Sequence, residues 1–137
     1  HREHRGRCRP LDAPLVAPHW DRARLYERIE RRVDFMIAAG WVEEVRALVD
    51  NGYEAHLARL KALGYREIAA YLRGEQTLDD AVAATKQHHR RYAKRQLTWF
   101  RADPRVRWLP AGPQTAPAAL AERVIALLED RPDARTT

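Results

Sequence analysis

A chain of 137 residues with 45% hydrophobic side chains suits one small domain with a core of its own. Its formal charge of +6, against 19 acidic residues, places the basicity locally and favours a nucleic acid or another polyanion as partner. The single Cys8 excludes an internal disulfide and a cysteine-rich zinc site. No run approaches the roughly 20 apolar residues of a membrane span, and the arginine-rich N-terminus lacks the apolar stretch of a signal peptide, so a reducing cytoplasm is expected.

Residues 1–10 read as a basic tail or the stump of a longer chain. Leu11 to Ala17 reads as a short strand, interrupted by Pro14, closed by Pro18 and therefore suited to a sheet edge. Asp21 is placed to cap a first helix in which Leu25, Ile29, Val33, Met36 and Ile37 repeat at helical steps, and Gly40 stops it. A second helix, Val42 to Asp50, buries Val42, Val45, Leu48 and Val49. Leu57 to Leu63 is predicted as a short helix, broken at Gly64 and resumed from Tyr65 to Leu72. Thr77 with Asp80 resembles a capping box, so a long helix begins near Leu78 and runs to Arg101, where Asp103-Pro104 ends it. Val106 to Leu109 is a brief strand. Residues 111–116 form a linker, and a last helix over 117–130 starts at Pro117 and buries Leu120, Val124, Leu127 and Leu128, before a polar tail over 131–137. The predicted class is mainly α with two short β-strands, and two strands so far apart in sequence point to a larger sheet.

The long helix carries the strongest signal. Lys86 to Arg101 holds six Lys or Arg residues and no acid. At about 100° per residue, Gln87, Arg90, Arg91, Lys94, Thr98 and Arg101 share one face, while Val82, Thr85, His89, Tyr92, Gln96, Trp99 and Phe100 lie opposite. A merely solvated helix interleaves acids at four-residue spacing, because like charges there repel by a few tenths of a kcal/mol. Here an external polyanion would relieve that repulsion. Tyr92 and Phe100 are expected to pack in the core, whereas Trp99 can reach the edge where an aromatic stacks on an unpaired base.

No phosphate-loop glycine motif, Cys-x-x-Cys or His-Glu-x-x-His occurs in these residues. His88 and His89 are adjacent, point about 100° apart and do not chelate one ion together. The first helix mixes Arg22, Arg24, Arg28, Arg31 and Arg32 with Asp21, Glu27, Glu30 and Asp34, which by spacing alone is an ordinary solvated face.

Three segments carry a resemblance. Tyr92-Ala93-Lys94-Arg95-Gln96-Leu97-Thr98-Trp99-Phe100-Arg101 resembles a signature of the bacterial tRNA dimethylallyltransferases. Arg22, Leu25, Tyr26, Arg28, Ile29, Arg32 and Val33, followed by Met36, Gly40, Glu44 and Val45, resemble a second segment of that family, and Lys61-Ala62-Leu63-Gly64-Tyr65-Arg66-Glu67 a third. The match spans roughly Arg9 to Pro110, of which residues 11–110 are read as the C-terminal part of the transferase domain.

The resemblance implies the C-terminal part of a phosphate-loop α/β fold of the nucleoside-triphosphate-hydrolase kind, with nucleotide (ATP) binding. It implies transfer of a dimethylallyl group from dimethylallyl diphosphate to the exocyclic N6 of the adenine next to the anticodon, in tRNAs reading codons that begin with U, assisted by Mg²⁺. The tRNA anticodon stem-loop would then meet Lys61, Gly64, Tyr65, Arg66, Arg90, Arg91, Lys94, Arg95, Gln96, Thr98, Trp99 and Arg101, and Arg22 and Arg28 would be candidates for the pyrophosphate. The phosphate loop, the catalytic base and the Mg²⁺ ligands of the family find no counterpart here, so a missing N-terminal half is expected as a partner and this chain alone is expected to be inactive. The full enzyme is expected to be monomeric, with no membrane association. Two alternatives stand beside this reading: a stand-alone helical RNA-binding module, and a structural domain whose arginines pair with acids of neighbouring helices.

Overall fold

The computed structural model describes residues 15–57, 59–60 and 62–129. Its elements run β1 (Leu15–His19), α1 (Arg22–Ala38), α2 (Trp41–Asp50), α3 (Glu54–Leu57), α4 (Tyr65–Leu72), α5 (Leu78–Ala102), β2 (Val106–Pro110) and α6 (Pro117–Glu129). The chain divides into a helical unit, 21–99, and a second unit that joins the residues up to 20 with those from 100 onward. The mainly α class with two short strands is the class observed.

In the helical unit Asp21 caps α1, its carboxylate accepting from the backbone N–H of Ala23 at 3.0 Å and Arg24 at 3.2 Å. Satisfying these orphan donors fixes where the helix starts. Gly40, at φ +99°, turns the chain into α2. Val33, Trp41, Val42, Val45, Leu57, Ile68 and Ala69 form the buried core, with Met36, Ile37, Leu48, Tyr65, Leu78 and Val82 packed around it. α5 contributes Ala81 and Thr85, both buried. Its start is fixed by Thr77 and Asp80: the Asp80 N–H donates to Thr77 Oγ1 at 3.1 Å, and that hydroxyl donates to Asp80 Oδ2 at 2.7 Å.

Four expectations are corrected here. α2 begins at Trp41, one residue early, and Trp41 is a core residue only 4% exposed. The helix predicted over Leu57 to Leu63 is instead α3, which starts at Glu54 and ends at Leu57. Leu57 is buried while Leu60 is half exposed, so these leucines do not define one helical face. Tyr92, expected in the core, is 48% exposed. In α6 no residue is fully buried, and Leu128 and Ile125 lie open; the interior expected for Leu120, Val124, Leu127 and Leu128 is not formed among the described residues.

In the second unit β1 and β2 pair in parallel, with Leu15 opposite Val106 and His19 opposite Pro110. The strand predicted from Leu11 begins, among the described residues, at Leu15, and it continues through Pro18 to His19. Both strands of a two-stranded sheet are edges, so a proline without an N–H is tolerated on the side away from the partner. The His19 and Trp108 rings meet edge to face at 5.9 Å. Asp103 shapes the turn before β2 by accepting from the Arg105 side chain at 2.7 and 2.9 Å, and these hydrogen bonds hold its carboxyl down at about 2. Arg123 of α6 donates to the Pro110 carbonyl at 2.9 Å. Among the described residues no helix is long and apolar enough to cross a membrane.

Candidate functional site

The site is built around Gly64, at the entry to α4. Its φ of +99° belongs to glycine, and a Cβ there would lie 2.1 Å from Trp41 Cη2. The indole ring thus lies against a backbone that only glycine allows so close. The Gly64 N–H donates to Glu67 Oε2 at 3.1 Å. This is half of a capping box, since glycine has no side chain to reciprocate. The other carboxylate oxygen of Glu67 lies 3.0 Å from His88 Nδ1 and accepts from Arg66 at 3.5 Å. Glu67 is 8% exposed, and its backbone carbonyl accepts from Gln76 Nε2 at 2.8 Å. A buried carboxylate therefore ties the glycine turn, α4 and the middle of α5 together.

Over this anchor lies a cavity of about 410 Å³ lined by Arg59, Arg66, Glu67, His88, Arg91 and Arg95 among others. Arg59 and Arg91 make no ion pair among the described residues. Four guanidinium groups face one carboxylate already engaged, so the cavity carries an excess of positive charge. Planar guanidinium forks match the oxygens of a phosphate.

The basic stretch of α5 is not uniform. Arg90 binds Glu30 of α1, and Lys86 binds Asp34 of α1 at 2.6 Å. These two cations dock the helix, as the structural alternative expects. Arg91, Lys94, Arg95, Gln96, Thr98 and Arg101 are exposed, and Thr98 Oγ1 donates to its own helix at the Lys94 carbonyl, 3.0 Å away. Arg95 stands over the Tyr92 ring at 5.8 Å. Tyr65 lies beside the glycine turn and donates from its hydroxyl to Glu44 Oε1 at 2.7 Å. That hydrogen bond, with burial second, raises the phenol above its ordinary value near 10, so it stays a protonated donor at neutral pH. Lys61 lies outside the described residues.

Arg22 and Arg28 are not brought together. Arg22 donates to the Tyr26 hydroxyl at 3.1 Å and lies 5.3 Å from that ring, whereas Arg28 lines a separate groove of about 380 Å³ with Arg31 and Arg32. Six residues apart on a helix, the two point about 120° away from each other. Among the described residues no group of three or more His, Cys, Asp or Glu side chains is placed to hold a metal ion. The Mg²⁺ implied by the resemblance thus finds no ligand set among them.

Arg59, His88 and Trp41 were not singled out as site residues by sequence reasoning. Arg59 sits between helices with no periodicity to mark it, and His88 is weighed from the sequence only as a metal ligand. The Gly64-x-x-Glu67 spacing was the available signal, since a glutamate three residues after a helix start commonly reaches back to the backbone.

His89 takes part in the same packing, with Nε2 buried. Burial is the main cause that pushes its pKa below the ordinary value; the Leu63 backbone opposes this, and the Arg32 charge adds to it. The unfolded chain therefore binds this proton more readily than the folded one. The neutral ring's contribution is complete above about pH 6.5 and is lost as pH falls through the folded-state pKa. Chemical denaturation between neutral and mildly acidic pH is expected to show a falling midpoint, and His89→Gln is expected to flatten that slope.

The sequence matches the IPP transferase family over residues 1–103. It is 50% identical over 109 residues to a tRNA dimethylallyltransferase of Desulforudis audaxviator, covering 80% of this chain and 35% of that protein. It is 48% identical over 121 residues to one from Symbiobacterium thermophilum, covering 88% and 37%. The structure is similar to the crystal structure of a tRNA delta(2)-isopentenylpyrophosphate transferase from Staphylococcus epidermidis, with a TM-score of 0.77 and 35% identity over 88% of this chain and 39% of that one. A tRNA isopentenylpyrophosphate transferase from Bacillus halodurans gives a TM-score of 0.73 at 33% identity, over 85% and 38%. The chain spans about a third of the length of the curated relatives it matches.

Proposed function

The chain belongs to the IPP transferase family, and from that premise we propose that it furnishes the RNA-gripping part of a tRNA dimethylallyltransferase, acting in the cytoplasm. The observation that carries this reading is the arginine-lined cavity over the Glu67–His88 anchor. A backbone phosphate of the tRNA anticodon stem-loop seats among Arg59, Arg66, Arg91 and Arg95. Gly64 and Tyr65 form the adjoining rim, and Lys94, Gln96, Thr98 and Arg101 extend the contact along α5. Held in this way, the strand can turn one adenine out of its stack toward the dimethylallyl donor. Phosphate contacts fix register and orientation and leave choice of base to other groups.

Transfer itself needs a charge clamp on the departing pyrophosphate and an acceptor for the proton leaving the adenine amine. Arg28, beside Arg31 and Arg32, is suited to part of such a clamp; Arg22 is directed elsewhere. No carboxylate of this chain is assigned as the base, and no step is derived through Mg²⁺. The relatives' additional length is proposed to supply these functions, so that this chain alone binds tRNA without modifying it.

Titration with tRNA at increasing salt tests the reading. Log affinity should fall steeply against log salt, by about 0.7 to 0.9 for each phosphate contacted, and Arg91→Glu should weaken binding and flatten the slope by about one contact. Binding that ignores both salt and Arg91 would sink it. A labelled dimethylallyl diphosphate assay runs beside it. Label reaching tRNA with this chain alone would place the catalytic apparatus within these residues.

A further inference from the structure

The two adjacent histidines of α5 reach the Leu63–Gly64 turn by different routes. His88 meets it through Glu67, whose carboxylate lies 3.0 Å from the His88 ring and accepts from the Gly64 N–H. His89 lies four residues beyond the buried Thr85 and meets the turn directly, with the Leu63 backbone beside its ring. Leu63 also lines the arginine cavity. The residue that His89 packs beside is therefore one that shapes the cavity wall. The ring fits this seam when neutral: its Nε2 is buried and has no hydrogen-bond partner among the described residues, so a proton there would create a charged donor without an acceptor. The charges around the ring come from three helices. Arg32 of α1 and His88 of α5 oppose a proton on His89, Glu67 of α4 and the Leu63 backbone favour one, and burial, the largest influence, turns the balance against it.

We propose that His89 is a proton-operated latch on the arginine cavity: neutral, it keeps the Leu63–Gly64 turn seated on α5, and protonated, it releases the turn and loosens the grip of the site on an anion. This rests on the reading of the cavity as a phosphate site and adds to it a control by pH. With the turn released, the hydrated ring takes its proton at about pH 6.5. With the turn seated, it does so only at lower pH. Release is therefore favoured as pH falls below about 6.5, and an anion that requires the seated turn must in return drive the proton off His89. Plain electrostatics has the opposite sign on both counts. Acid adds positive charge to the protein and tightens its hold on anions, and a bound anion attracts a proton to a neighbouring ring.

The test uses the full chain and inorganic sulfate, which, unlike phosphate, keeps one charge from neutral to mildly acidic pH. Calorimetric titration is expected to show sulfate affinity falling by up to about tenfold per pH unit below about pH 6.5. In His89→Gln, whose side chain takes no proton, affinity should stay level or rise with acid. Two measurements on the unaltered chain do not depend on that variant folding. The His89 Cε1 proton resonance should titrate at lower pH with sulfate than without it, and exchange of the Gly64 amide, corrected for its intrinsic rate, should quicken with acid ahead of the amides of α2. Sulfate affinity of the unaltered chain that holds level or tightens with acid, a His89 titration moved upward by sulfate, or an exchange rise shared equally by α2 would each overturn the latch while leaving the cavity as an anion site. If sulfate binds at no pH, the cavity reading falls and the latch falls with it.

Discussion

Replacing Gly64 by alanine is expected to destabilise the helical unit by about 2 to 5 kcal/mol, combining overpacking of the core with left-handed backbone strain. The added Cβ would meet Trp41 Cη2 at 2.1 Å and Cζ2 at 2.6 Å. Trp41 is 4% exposed and held among Val42, Val45 and Ile68, so the ring has nowhere to retreat. Thermal or urea unfolding, followed by far-ultraviolet circular dichroism, measures the loss. The double variant Gly64→Ala with Trp41→Leu separates the two causes: it should recover the steric part and leave the backbone strain. A Gly64→Ala protein as stable as the parent would mean that the indole is not seated against this turn.

Glu67→Ala is expected to cost about 2 to 4 kcal/mol, because it strands a buried backbone donor and removes a charged acceptor together. The Gly64 N–H loses its acceptor at 3.1 Å, and His88 loses the carboxylate oxygen at 3.0 Å. Glu67→Gln keeps the shape and one carbonyl oxygen, and it should fall between the parent and the alanine variant. The network spans the glycine turn, α4 and α5, so RNA affinity should drop as well, since Arg59 and Arg91 would no longer face each other across a fixed frame. Parallel unfolding and RNA titrations distinguish these effects. Alanine tolerated without loss of stability would reduce the Glu67 contacts to surface decoration.

Much of the helical framework was legible because each helix announces its own ends. Asp21, Gly40 and the Thr77–Asp80 pair are local signals, and the structure uses each where its spacing predicts. What was not legible is tertiary. The Tyr92 position has the periodicity of a core residue, yet α5 continues beyond the side chains that would cover it; periodicity reports a face and not how far its support extends. The same applies to α6, whose leucine pattern fits a buried helix without any fully buried residue. The candidate site was legible in part. Gly64, Arg66 and Arg95 were named from motifs and Arg91 from the basic face of the long helix, whereas Arg59 and His88 join them only through folding: His88 meets Glu67 across 21 positions of sequence. Arg90, counted among the free cations, has its partner 60 residues earlier at Glu30.

The parallel pairing of β1 with β2 has a kinetic consequence. Leu15 and Val106 lie about 90 positions apart, so their contact closes nearly the whole described chain into one loop. The helices form from contacts a few residues to a few tens of residues apart, which are reached early. The strands find each other more readily once the helices between them have become compact. Pairing of β1 with β2 is therefore a late event among the described residues, and helix content alone would register folding before it.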